Sequence, residues 1–238
     1  DISDRLLKGN LPDGEGSEVL RSLMTRSEEV FAEHPVNVKR RTAGVDPVSS
    51  IWLWGQGRRP KVPTIADRFG LTGAVISAVD LVRGIGVLAG LEVINVPGAT
   101  GFLDTNYLGK AEYGLAALRE KDFLFLHVEA PDEAGHMGSA EKKVRALEDF
   151  DEKVVGTILR GLDRHDEWTV LLMPDHATPV AIKTHSSDPV PFVVISSDTG
   201  SGSARGLGYN EIAAKETNIL VPHAWELLEH VIGGNVGS

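Results

Sequence analysis

From residue 73 onward, short unbroken apolar runs alternate with longer amphipathic stretches, and that alternation constrains the fold more than any other feature of the chain. Residues 73–78, 92–96, 123–128, 169–173 and 191–195 read as strands. Residues 80–88, 105–119, 140–159 and 224–232 carry apolar side chains at helical spacing. Strands that are apolar throughout belong in sheets covered on both sides. Strands separated by helices are the signature of a parallel sheet. The expected class is therefore α/β, a mostly parallel sheet with helices on both faces. Upstream, residues 17–33 read as a helix entered through Pro12-Asp13-Gly14-Glu15-Gly16 and ended by His34-Pro35. A polar loop follows, then Ile51-Trp52-Leu53-Trp54 as a short strand stopped by Gly55-Gln56-Gly57. Residues 200–208, rich in Gly and Ser, read as a flexible loop.

The polar residues that matter fall where the predicted strands end. The run 123–128 leads at once into Pro131-Asp132-Glu133-Ala134-Gly135-His136, and 169–173 into Pro174-Asp175-His176. A third stretch, Thr184-His185-Ser186-Ser187-Asp188-Pro189-Val190-Pro191, precedes the last strand and can reach the same edge. Ligands of open α/β sheets sit outside the carboxyl ends of the strands. Asp132, His136, Asp175, His176 and His185 are thereby expected at one place, and carboxylate with imidazole suits Zn²⁺, Mn²⁺ or a similar divalent ion. These five side chains suffice for one three-ligand site and half of a second.

Composition narrows the classes. The chain of 238 residues has no cysteine, which excludes disulfides and thiolate metal sites. Its formal charge of −10 argues against a nucleic-acid surface, which requires a basic patch. The longest apolar-leaning stretch, 73–96, is broken by Asp80, Arg83 and Glu92, so a membrane partner is not expected and a cytoplasmic protein is. The chain opens on Asp1-Ile2-Ser3 without Met and is read as a piece of something longer.

The three strand-end motifs, with Ile51-Trp52-Leu53-Trp54-Gly55-Gln56-Gly57, Val75-Ile76-Ser77-Ala78-Val79-Asp80-Leu81 and Asn95-Val96-Pro97-Gly98-Ala99-Thr100-Gly101, resemble the archaeal-type cofactor-independent phosphoglycerate mutases of the alkaline phosphatase superfamily. The resemblance covers nearly the whole chain and fits the C-terminal part of that family. It implies that residues 1–60 are the C-terminal part of an inserted cap domain. Residues 61–238 would then be the C-terminal part of a metal-binding, phosphatase-like catalytic domain. It implies that Asp132, His136 and His185 hold one ion and that Asp175 and His176 hold another, with Mn, Zn, Co or Mg as candidates and no 2,3-bisphosphoglycerate. The family's nucleophilic serine, and an aspartate that completes the second site, have no counterpart motif in this chain. The implied substrate is a small phosphorylated carboxylic acid: 2-phosphoglycerate gives its phosphoryl group to the serine, and the other hydroxyl of glycerate takes it back. The same branch includes proteins proposed as homoserine kinases or labelled phosphonopyruvate decarboxylase. A short form that binds metal or a partner and catalyses nothing is the alternative of another class. The motifs say nothing of the oligomeric state.

Other residues carry weaker expectations. Arg58 and Arg59 could grip a phosphate or carboxylate bidentately, against a plain surface role. Against a part in binding, Asp104 reads equally well as a helix N-cap, and Lys110 as part of a solvated face. His127 reads as a satisfied core histidine, Trp52 and Trp54 as packing residues, and Glu133 as a neighbour of the metal loop.

Overall fold

The structure, a computed structural model, describes residues 6–55, 57–198 and 208–233, so the loop expected at 200–208 lies outside the described residues but for Gly208. The chain divides into two compact units, Asp1–Lys61 and Val62–Ser238.

In the first unit, α1 spans Ser17–Ala32 and α2 spans Pro35–Thr42. His34-Pro35 ends α1 and also opens α2, where a polar loop was expected. Proline has no N–H to leave unpaired in a first turn, and its fixed φ suits one. The His34 ring accepts from the Val36 N–H at 3.3 Å. Buried Asn37 donates to the Phe31 and Val48 carbonyls, both at 2.8 Å, and accepts from the Val48 N–H. The expected strand at Ile51–Trp54 is absent. The Ile51 N–H donates to the Ser27 hydroxyl at 3.0 Å, so this segment is tied to a helix side chain, and among the described residues no strand pairs with it. Trp54 is exposed and packs into no core.

The second unit begins with α3, Ile65–Phe69, closed at its start by a reciprocal Thr64–Asp67 capping box. There follow β1 (Gly73–Ile76), α4 (Asp80–Leu88), β2 (Glu92–Val93), α5 (Tyr107–Ala117) and β3 (Phe123–Leu126). The three strands form a parallel sheet in the order β2-β1-β3, with Val75 beside Val93 and Ile76 beside Leu126. Central β1 is buried along its whole length, as an apolar run without alternation requires. Next come α6 (Ala130–His136), α7 (Ala140–Phe150), a π-helical turn at Asp151–Val155, and α8 (Gly156–Leu162). The single helix expected over 140–159 is thus a longer run with a widened turn, which brings Val154 into the core with Tyr107, Ala111, Ala130 and Ala146. The chain closes with β4 (Thr169–Leu172), β5 (Val193–Ser196), α9 (Glu211–Glu216) and α10 (Ala224–Ile232).

Strands β4 and β5 pair antiparallel, Leu171 opposite Val194, apart from the parallel sheet. No helix lies between them, and a helix is the usual crossover of a parallel pair. The long excursion between them is therefore free to fold back on itself. It does so through an isolated antiparallel bridge between Ala177 and Ser186. Among the described residues no helix is long and apolar enough to cross a membrane.

Two expectations on α5 are overturned. Asn106 is its N-cap, accepting from the Gly109 N–H at 2.8 Å, whereas Asp104 accepts from the Thr100 hydroxyl at 3.1 Å. Lys110, expected on a solvated face, is 0% exposed. Charge type speaks for exposure, but α5 packs on β1 and β3, where Gly114 lies against Leu124 and Ile76, and the Lys110 ammonium reaches the His127 carbonyl.

Candidate metal centre

The stretch expected as a loop after β3 is helix α6. Pro131 stands in its first turn, where proline is tolerated, and Asp132 and Glu133 lie at the end where the helix dipole favours negative charge. Helical spacing places residues four apart on one face. Asp132 Oδ2 is accordingly 3.2 Å from His136 Nε2.

The second wall of the site is the excursion between β4 and β5. It brings His185 Nε2 to 3.2 Å from His136 Nε2 and 3.6 Å from Asp132 Oδ1. The His176 and His185 rings lie 3.8 Å apart between centroids. Atoms of Asp132, His176 and His185 that could ligate an ion all lie within 4.8 Å of one another, as do those of Glu129, Asp132 and Glu133. Four of the five expected residues thus converge. Asp175, with its side chain 70% exposed, meets the group through His176: its Oδ2 lies 3.4 Å from His176 Nε2, and its Oδ1 accepts from the His176 N–H at 3.0 Å. The convergence also runs across the division implied by the resemblance, because His176 sits with Asp132 and His185. Arg58 and Arg59 are exposed residues of the first unit.

The donor set fits a divalent cation, and the test is where the ring protons go. His136 Nδ1 is 3.0 Å from the Lys183 carbonyl, which can only accept, so Nδ1 carries a hydrogen and Nε2 is the nitrogen turned to the centre. Lys183 holds φ at 55°, a left-handed conformation uncommon for a residue with a Cβ. The buried Thr178 hydroxyl gives its only hydrogen to Asp132 Oδ1, so at 3.2 Å it can only accept from His176 Nδ1–H. That again leaves Nε2 as the ring nitrogen turned to the centre. Two imidazoles beside a carboxylate, each oriented through its other nitrogen, are what a metal site needs.

Sequence reasoning missed Thr178. The only hint was its place two residues after His176. Its position depends on Gly135 of α6, where a Cβ would collide with the Thr178 carbonyl oxygen. Gly135→Ala is expected to push α6 off the excursion, costing about 1–3 kcal/mol of stability and weakening divalent-ion affinity at least ~10-fold. Parallel thermal unfolding and metal titration check both.

Beneath the centre lies a second polar group. Ser77, just beyond β1, is 3.1 Å from His127 Nδ1, and His127 Nε2 is 3.3 Å from Glu129 Oε2. His127 is thus a satisfied histidine, as expected. Burial lowers its pKa, and burial followed by the charges of Asp132 and Asp175 raises that of Glu129. Burial pulls the Lys110 ammonium down to about 8, against the opposing pull of Glu129. Its Nζ donates to the His127 carbonyl at 3.1 Å.

Residues 15–221 match the family described as the Metalloenzyme superfamily. A probable 2,3-bisphosphoglycerate-independent phosphoglycerate mutase of Geobacter sulfurreducens is 50% identical over 98% of this chain and 58% of its own length. The 2,3-bisphosphoglycerate-independent phosphoglycerate mutase of Methanothrix thermoacetophila is 47% identical over 98% of this chain and 59% of its own. The chain therefore spans less than two thirds of the relatives it matches. The solved structure of the PH0037 protein from Pyrococcus horikoshii aligns with a TM-score of 0.73 and 28% identity, over 90% of this chain and 55% of that one.

Proposed function

The chain belongs to the Metalloenzyme superfamily, and we propose that it is the metal-holding C-terminal part of a cofactor-independent phosphoglycerate mutase that interconverts 2-phosphoglycerate and 3-phosphoglycerate. The observation that carries the reading is the meeting of Asp132 and His136 on α6 with His176 and His185 on the β4–β5 excursion. In this reading Asp132, His136 and His185 hold one divalent ion, Asp175 and His176 help to hold a second, and residues 1–60 come from a cap domain. Bound ions would supply positive charge to offset the charge on the transferring phosphoryl oxygens.

The chain's own groups do the rest of their share by orientation. Thr178 fixes both the Asp132 carboxylate and the His176 tautomer, and the Lys183 carbonyl fixes that of His136. Asp175, the most exposed of the acids here, is the one best placed to meet groups from outside the chain. A small phosphorylated carboxylate is a polyanion, and the chain itself carries −10, so cationic help is required at the site. Arg58 and Arg59 are proposed to take a phosphate or carboxylate group of the substrate. The nucleophilic serine of the reaction lies outside this chain, and the protein works in the cytoplasm without nucleic acid, membrane or 2,3-bisphosphoglycerate.

The test is a coupled mutase assay on the full-length gene product with Mn²⁺ and no bisphosphoglycerate. Turnover is expected, and Asp175→Ala should remove it. Metal binding without turnover on phosphoglycerate would reject the mutase and direct the search to another phosphoryl acceptor, homoserine first.

A further inference from the structure

The turn between β3 and α6 is held by more polar contacts than a turn needs. The His127 N–H continues the sheet ladder to the Ile76 carbonyl at 2.8 Å, while its own carbonyl turns down to the Lys110 ammonium at 3.1 Å. Ser77 Oγ accepts from the Val79 N–H at 3.0 Å and is hydrogen-bonded to His127 Nδ1 at 3.1 Å. The other ring nitrogen of His127, Nε2, faces Glu129 Oε2 at 3.3 Å. The Glu129 carbonyl in turn receives the N–H of Asp132 at 2.8 Å and of Glu133 at 3.2 Å, which is the start of α6. Backbone, ring and carboxylate of residues 127–129 are each tied down, and α6 grows directly from them.

A buried ammonium is an odd choice for packing alone. An unbranched apolar side chain would fill the same space without stripping water from a charge, and such replacements are often neutral or stabilising. Lys110 spends its charge on one backbone carbonyl at the foot of the helix that carries Asp132 and His136.

We propose that Lys110, Ser77 and His127 are positioning residues for the metal centre: they fix the 127–129 turn, and through it the distance of Asp132 and His136 from His176 and His185. The inference rests on the metal-centre reading above and goes beyond it by assigning work to residues outside the proposed ligand set. Outer groups of this kind commonly govern ligand orientation and metal affinity.

The experiment is a Co²⁺ titration of the chain, followed by its visible absorption, with metal-free thermal unfolding measured alongside. Lys110→Met is expected to unfold no earlier than the parent, to bind Co²⁺ about 10-fold or more weakly, and to shift the absorption band that reports coordination geometry. Ser77→Ala, which frees the His127 ring, should weaken binding in the same direction without loss of fold. Parent-like affinity and band in both variants would overturn the proposal. Should Lys110→Met fail to fold, Ser77→Ala decides alone, and parent-like binding in it overturns the proposal. Asp132→Ala is the control. Binding lost there but unchanged in the other two rejects the positioning role and keeps the centre, whereas binding unchanged in all three rejects the centre and this inference with it.

Discussion

Alanine at His136 or at His185 is expected to abolish tight binding of one divalent ion per chain, a loss of more than ~100-fold, beyond the 10–100-fold range typical of groups behind the ligands. The two Nε2 atoms lie 3.2 Å apart, and the His136 tautomer is fixed by the Lys183 carbonyl. Two ring nitrogens are thus held against each other with the Asp132 carboxylate beside both, and a cation is the natural partner for all three. Removing one imidazole leaves a carboxylate and too few bases to compete with water. Equilibrium dialysis with elemental analysis of metal per chain reads the result. Metal content equal to the parent's in both variants would remove these residues from the centre.

The second large effect is a rise in stability with pH, between about 8 and 10, that belongs to Lys110. Its folded pKa is drawn down to about 8 from 10.5, so between those values the unfolded chain binds a proton that the folded chain has released. Stability increases with pH wherever the unfolded state binds more protons. The buried charge weakens the fold fully below pH 8, and the penalty is relieved as pH climbs. At about 1.4 kcal/mol per pH unit, the full swing is on the order of 3 kcal/mol. Above pH 10 the sign reverses. Burial raises Tyr107 and pushes Tyr209 up to about 12, so the unfolded chain loses those protons first. Urea unfolding from pH 7.5 to 10, on the parent and on Lys110→Met, isolates the contribution. The parent curve should rise against a flatter one for the variant, and parallel curves would place the ammonium in water.

Much of the centre could be read from the chain because its residues follow strands. A continuous apolar run states that it is a buried strand, and the polar residues just past it must then stand at the sheet's edge. What the chain concealed depends on contacts outside a local window. Pro131, Gly135 and Gly138 make the segment after β3 look like a loop. Yet proline sits in the first helical turn, Gly135 answers a close approach of Thr178, and Gly138 with φ 67° follows the helix end. The direction of β5 is not written in β5 itself. The clue was the stretch before it, where Pro174, Pro179, Pro189 and Pro191 leave no room for a crossover helix. Lys110 was misread because a charge predicts water, and only the packing of α5 against the sheet shows otherwise. The matched relatives and the superfamily agree with the resemblance read from the motifs, whereas the roles of individual residues still wait on the variants above.

The His136–His185 contact joins positions 49 residues apart, with α7, the π turn, α8 and β4 between them. A cation gripping both would therefore do to the chain what a disulfide does to a secreted protein that has cysteines to use. Closing a loop of that length restricts the unfolded chain by an amount on the order of 4 kcal/mol. Such a cross-link could be made and undone without redox chemistry, simply by the supply of metal. Starvation for the ion would then shorten the protein's life as a folded object.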